Sequence, residues 1–178
     1  MPSLAETGAP LHRPKVLVLH GPNLNFLGTR EPELYGQQTL AELNTAMLAL
    51  AATLRVDLEI HQTNHEGDYI EFVHRLRDGY AAAIINPGAY SHTSVAILDA
   101  IRCVRVPVIE VHLSNIHARE AYRERSLTAS GCVGVITGFG VDSYFLALRY
   151  AAQRVLGPTD KGNETRNKAS SATYMEPA

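Results

Sequence analysis

Five short apolar runs rich in β-branched residues recur along the chain, at residues 16–19, 56–61, 82–85, 106–111 and 132–136, and longer segments of helical pattern separate them. Their near-continuous apolarity predicts strands buried on both faces, and hence a parallel sheet. The intervening helices carry their own signals. Thr39 followed by Glu42 reads as a capping box ahead of an apolar stripe at Leu40, Leu43, Met47, Leu50 and Leu54. A second helix is expected over residues 68–78, a third over 91–103, and a fourth after Gly140 with Tyr144, Leu148 and Ala151 on one face. Strand and helix in alternation imply right-handed crossovers and a doubly wound α/β sheet.

With 178 residues and 46% hydrophobic content, the chain can bury one sizeable core, so a single domain over residues 14–156 is expected. The Pro- and Gly-rich start (1–13) and the polar end (157–178) are expected to be disordered. A net charge of -2, without a Lys/Arg run, argues against nucleic acid and anionic membrane as partners and favours small molecules or further copies of the chain. Cys103 and Cys132 form neither a disulfide framework nor a zinc spacing, which fits a reducing cytoplasm. No apolar run is long enough to span a bilayer, and no signal-peptide layout opens the chain, so a soluble, unexported protein is expected. The lysines are Lys15, Lys161 and Lys168, leaving residues 16–160 with nothing able to form a Schiff base.

Ligands of open α/β sheets bind outside the carboxyl ends of the strands, so the loops that follow them matter most. After the first run, residues 20–36 hold Asn23, Asn25, Arg30 and Tyr35 between Gly/Pro turn formers. A loop of that length is functional, or else a surface connection punctuated by turns. After the third run comes Asn86-Pro-Gly-Ala-Tyr-Ser-His92-Thr-Ser. There Ser91 or Thr93 can cap the following helix and turn its amides toward an anion, with Asn86 and His92 flanking that end. Alternatively, Asn86 satisfies turn backbone groups and His92 is a hydrogen-bonded scaffold residue. The fourth run ends Glu110-Val-His112-Leu-Ser114-Asn115, and strand alternation puts Glu110 and His112 on one face: an oriented general acid, or a buried packing pair. Arg119 and Arg123, four apart, fit one turn of helix facing a carboxylate-binding pocket, or a solvated face. Taken together, the loops put an oxygen-rich ligand's environment at one sheet edge.

Gly21-Pro-Asn-Leu-Asn, Leu27-Gly-Thr-Arg-Glu-Pro, Tyr35-Gly, Asn86-Pro-Gly, His92-Thr-Ser, Glu110-Val-His-Leu-Ser-Asn and His117-Ala-Arg-Glu appear in that order. In these motifs the chain resembles the type II 3-dehydroquinate dehydratases, from Lys15 to Gln153. The resemblance implies a flavodoxin-like fold with a five-stranded parallel sheet, assembly as a dodecamer of trimers, and dehydration of 3-dehydroquinate to 3-dehydroshikimate, in aromatic biosynthesis or quinate breakdown. It implies Tyr35 as proton acceptor, His112 as proton donor and Arg30 as transition-state stabiliser. Asn86, His92, Asp99, Leu113, Ser114 and Arg123 are implied as substrate-binding, with Asp99 reaching a neighbouring subunit's site.

The physical chemistry fits these implied roles. A phenol ordinarily titrates near 10, so Tyr35 needs cations beside it, from Arg30 or Arg119. Loss of a proton next to a ketone gives an enolate, which Asn23 can stabilise through a water. His112, oriented by Glu110, can then protonate the departing hydroxyl. The substrate carboxylate would meet the Leu113 and Ser114 amides and Asn86, and Arg123 and His92 would fix ring hydroxyls. The lysine distribution excludes an imine route through residues 16–160, and neither a metal nor a cofactor is expected. The competing reading is a flavodoxin-like module that binds a phosphate or flavin without catalysis.

Overall fold

The structure is a computed structural model, and it describes residues 13–29 and 37–157. Arg30, Tyr35 and most of both flanking segments lie outside the described residues. Among the described residues, five strands, β1 (Lys15–His20), β2 (Asp57–Gln62), β3 (Ala82–Asn86), β4 (Val108–His112) and β5 (Gly134–Thr137), form one sheet in the order β2-β1-β3-β4-β5. Every neighbouring pair is parallel, with Val16 opposite both Leu58 and Ala82.

Among the described residues, four helices cover the two faces: α1 (Leu40–Leu54), α2 (Glu66–His74), α3 (Val95–Arg102) and α4 (Asp142–Leu156). Alternation along β1 explains the layering. Val16 and Val18 pack with Leu43, Met47, Tyr144 and Leu148 beneath α1 and α4. Leu17 and Leu19 point the other way, to Tyr69, Val73, Ile97 and Ile101 beneath α2 and α3. All of these side chains are fully buried, and each apolar one contributes roughly 1.5–3 kcal/mol by leaving water.

The expected capping box is present: the Thr39 N–H donates to Glu42 Oε2 at 2.8 Å, and the Glu42 N–H to Thr39 Oγ1 at 3.3 Å. Three expectations need correction. Burial on both faces holds for β1, β3 and β4 apart from Lys15, whereas the edge strands β2 and β5 stay half open, with Val135 39% exposed. The third helix begins at Val95 and not at residue 91, because Gly88–His92 winds as a 3-10 turn and Ser94 caps the helix by accepting from the Ile97 N–H at 2.9 Å. The β4–β5 crossover carries three short 3-10 turns, at Ile116–Ala118, Ala121–Arg123 and Thr128–Gly131, where a helix was expected.

Candidate active site

The sheet order reverses direction at β1 and β3, and ligands of doubly wound sheets bind beside such a switch point. A cleft of about 200 Å³ lies there, small enough to suit a compact metabolite. Asn23 comes to it from the loop after β1, Asn86 and His92 from the end of β3 and its turn, and His112, Leu113, Ser114, Arg119 and Arg123 from the end of β4 and beyond.

The loops approach one another closely. The Gly21 N–H donates to the Asn86 carbonyl at 2.8 Å, and a Cβ on Gly21 would sit 2.7 Å from the Pro87 carbonyl carbon, so only glycine fits. Asn23 adopts a left-handed backbone (φ 66°), and its N–H donates to Asn64 Oδ1 at 2.9 Å. Gln62 donates to the same Asn64 oxygen at 3.0 Å, pinning the root of the first loop to the end of β2.

Asn86 satisfies the turn, its Oδ1 accepting the Gly88 N–H at 3.1 Å, and the residue also lines the cleft. Ser91 does not cap α3, since its hydroxyl donates to the Gly88 carbonyl at 2.8 Å. His92 is anchored through Nδ1 to the Arg125 carbonyl at 2.9 Å, so this nitrogen carries the proton.

Glu110 and His112 share one face of β4, as alternation requires, and His112 Nε2–H donates to Glu110 Oε1 at 2.6 Å. The carboxylate has no solvent exposure and the imidazole 5%. Burial pushes the Glu110 carboxyl up, but hydrogen bonds from His112, Ser126 and Thr128 more than offset it, and the group stays below the usual carboxylate range. With Nε2 committed, Nδ1 is the nitrogen of His112 left to face the cleft. The His112 carbonyl is held by Ser143 Oγ at 2.9 Å, and the His92 and His112 rings lie 6.4 Å apart and nearly parallel.

Arg119 and Arg123 do reach one cleft, but not on a helix turn: the backbone is extended at Arg119 (φ -111°, ψ -165°), between two 3-10 turns. Glu120 Oε2 lies 3.6 Å from Arg119 Nε and 3.2 Å from Arg123 Nε, bracing the two cations. Asp99 is exposed on α3 and does not line this cleft. Among the described residues, no three His, Cys, Asp or Glu side chains are grouped so as to hold a metal ion.

Several participants were not anticipated. Leu24, Phe26 and Ile116 add an apolar wall to the cleft, and Ser126 and Thr128 stand behind Glu110. Among sequence signals, only the apolarity of the first three hinted at a wall. The two hydroxyls meet their partner 16 and 18 residues away, beyond any local pattern.

Lys15 lies at the opposite rim of the sheet, at the start of β1, ion-paired with Glu59 and over the Tyr80 ring. The length of β1, roughly 16 Å at strand rise, separates it from the cleft. No helix among the described residues is long and apolar enough to cross a membrane.

Comparison with known proteins accords with this geometry. The family model for class II dehydroquinase matches residues 14–152. The catabolic 3-dehydroquinase of Pyricularia oryzae is 49% identical over 82% of this chain and 94% of its own length. The 3-dehydroquinate dehydratase of Thermus thermophilus is 52% identical over 78% and 93%. The crystal structure of the type II dehydroquinase from Propionibacterium acnes superposes with a TM-score of 0.76 at 40% identity, over 78% of this chain and 96% of that one. With its flavodoxin-like five-stranded sheet, its cleft and a family match spanning nearly all the described residues, the chain belongs to the class II dehydroquinase family.

Proposed function

We propose that this chain is a hydro-lyase that reversibly dehydrates 3-dehydroquinate to 3-dehydroshikimate through an enolate. The observation that carries this reading is the buried Glu110–His112 pair opening onto a cleft that also holds Asn86, Arg119 and Arg123, within a chain of this family.

Tyr35 takes the carbon-bound proton next to the substrate ketone. Its basicity comes from Arg30, close in sequence, and from Arg119. Both loop residues lie outside the described residues; the support for their role is the position of Asn23 at the cleft, where that loop begins. Asn23 stabilises the enolate oxygen through a water. His112, protonated on Nδ1 and held through Nε2 by Glu110, delivers its proton to the departing hydroxyl, which leaves as water. The substrate carboxylate sits against Leu113, Ser114 and Asn86, while His92 and Arg123 hold ring hydroxyls.

The cytoplasm is the proposed location, and the proposed assembly is a dodecamer of trimers. The exposed Val95, Val133 and Val135 support an assembly, and the exposure of Asp99 suits a side chain that completes a neighbouring subunit's cleft. Both a biosynthetic and a catabolic role are served by this reaction. The test is the appearance of enone absorbance when 3-dehydroquinate is added to the purified chain, with Tyr35→Phe alongside. Turnover is expected in the wild type, and in Tyr35→Phe its loss with substrate-analogue binding retained; near-normal activity in that variant would remove the phenol from its role.

A further inference from the structure

Glu110 is saturated by donors from a segment distant in sequence. Ser126 Oγ donates to Oε1 and Thr128 Oγ1 to Oε2, each at 2.6 Å, a length typical of charge-assisted hydrogen bonds. The Ala129 N–H donates to Ser126 Oγ at 3.1 Å and so directs the serine proton toward the carboxylate. The segment is in turn sewn to the wall of the cleft: Arg125 gives its carbonyl to His92, and the Leu127 N–H donates to the Ser91 carbonyl at 2.7 Å. A proton placed on Oε2 would face the Thr128 hydroxyl, which itself needs an acceptor there. The three short donors therefore all favour an acceptor-only carboxylate.

We propose that Ser126 and Thr128 are positioning residues for the proton transfer, because their hydroxyls hold Glu110 as an anion and thereby fix His112 in the tautomer whose Nδ1 faces the cleft. This rests on the reading of His112 as the proton donor. Among the described residues, the other titratable or charged groups near the pair are His92 from the turn after β3, Cys132 before β5 and Tyr69 from α2, with Arg119 and Arg123 after β4 lining the same cleft. None of them is altered by exchanging a hydroxyl at position 128.

Thr128→Val keeps the side-chain shape and leaves Oε2 with only the Cys132 thiol, at 3.9 Å, among the described donors. Removing a donor from the anion makes the deprotonated pair less stable, so the pair keeps its proton to higher pH. The limb of the kcat–pH profile set by loss of that proton should move up by about one unit, and kcat should fall about tenfold, the size of one lost charge-assisted hydrogen bond. KM should stay within about twofold, since the hydroxyl does not touch the cleft. Thr128→Ser should restore both the limb and kcat, and Ser126→Ala should shift them in the same direction as Thr128→Val.

Nitrogen-15 NMR of the His112 ring reads the same device without turnover. The wild type should show the Nε2–H tautomer, and Thr128→Val a ring titration moved upward. A folded Thr128→Val with an unmoved ring titration overturns the clamp. A moved ring titration with an unmoved kcat profile overturns the assignment of His112 as donor, and with it the catalytic part of the proposal.

Discussion

His20 and His112 close β1 and β4 at the same edge of the sheet, and both are buried, at 0% and 5% exposure. Their neighbours differ in one respect that changes their chemistry. His20 meets neutral partners, Tyr144 Oη at 2.8 Å from Nδ1 and Asn44 Oδ1 at 2.9 Å from Nε2, and burial lowers its pKa to about 4. His112 meets a carboxylate that three further side chains keep ionised or contact. A buried imidazole beside neutral groups stays neutral, whereas one beside a fixed anion has a counter-charge when it takes a proton. Location at the carboxyl edge is common to both rings, and the second residue of each pair sets them apart, which suits the proposed proton-donor role to His112 and not to His20.

The contrast breaks most readily by removing each ring in turn. His112→Gln should lower kcat by about 10²–10⁴-fold, the usual contribution of a positioned general acid, with analogue affinity nearly intact by calorimetry. His20→Gln should leave kcat within about threefold. Equal losses in the two variants would erase the distinction.

Glu110→Gln sharpens it. The amide turns one set of hydrogens toward the Ser126 and Thr128 hydroxyls or toward His112, and denaturant unfolding should report a loss of roughly 3–5 kcal/mol, as for a broken buried pair. A well-folded variant at wild-type stability would show that the carboxylate is not needed to satisfy those donors.

A smaller effect concerns acid stability. In the unfolded chain the His20 ring takes a proton near its ordinary 6.5, in the folded protein only near 4. Between these values the unfolded chain binds more protons, so the His20 contribution is fully present above pH 6.5 and is lost as pH falls toward 4. It amounts to about 3 kcal/mol. Urea titrations at pH 7 and pH 4 should show that difference shrinking in His20→Gln; an unchanged pH dependence would contradict the neutral, buried ring.

The opposite rim of the sheet supplies the smallest effect. There Glu59 accepts from Arg75 at 2.6 Å and pairs with Lys15, a half-exposed network whose carboxyl is held down to about 2 chiefly by Lys15 and His61. Arg75→Met should cost below about 1 kcal/mol and the cost should fade with added salt. A larger, salt-independent loss would make that rim a structural equal of the catalytic edge.

Local signals carried the layer architecture. The Thr39–Glu42 box and the buried runs of β1, β3 and β4 are properties of adjacent residues, and each was legible as written. Glu110 and His112 were paired from alternation alone. What failed had a shared cause. The segment from residue 91 reads as the start of a helix, but Gly88 turns at φ 57° and Ser91 answers its carbonyl, so a 3-10 turn precedes α3. Arg119 and Arg123 converge through bends that spacing does not encode. His20 finds its partners 24 and 124 residues away, and Ser126 and Thr128, late in the β4–β5 crossover, find theirs 16 and 18 residues back on β4. Only tertiary closure brings such pairs together, and no periodicity announces them.

The central claim is dehydration at the carboxyl edge through an enolate, with no covalent link to a lysine; Lys15 lies at the far rim and residues 16–160 contain no other. The direct measurement is the intact mass of the chain after 3-dehydroquinate and borohydride are supplied together while enone absorbance is followed. Enone formation with an unchanged protein mass is expected. A stable adduct of substrate mass would contradict it.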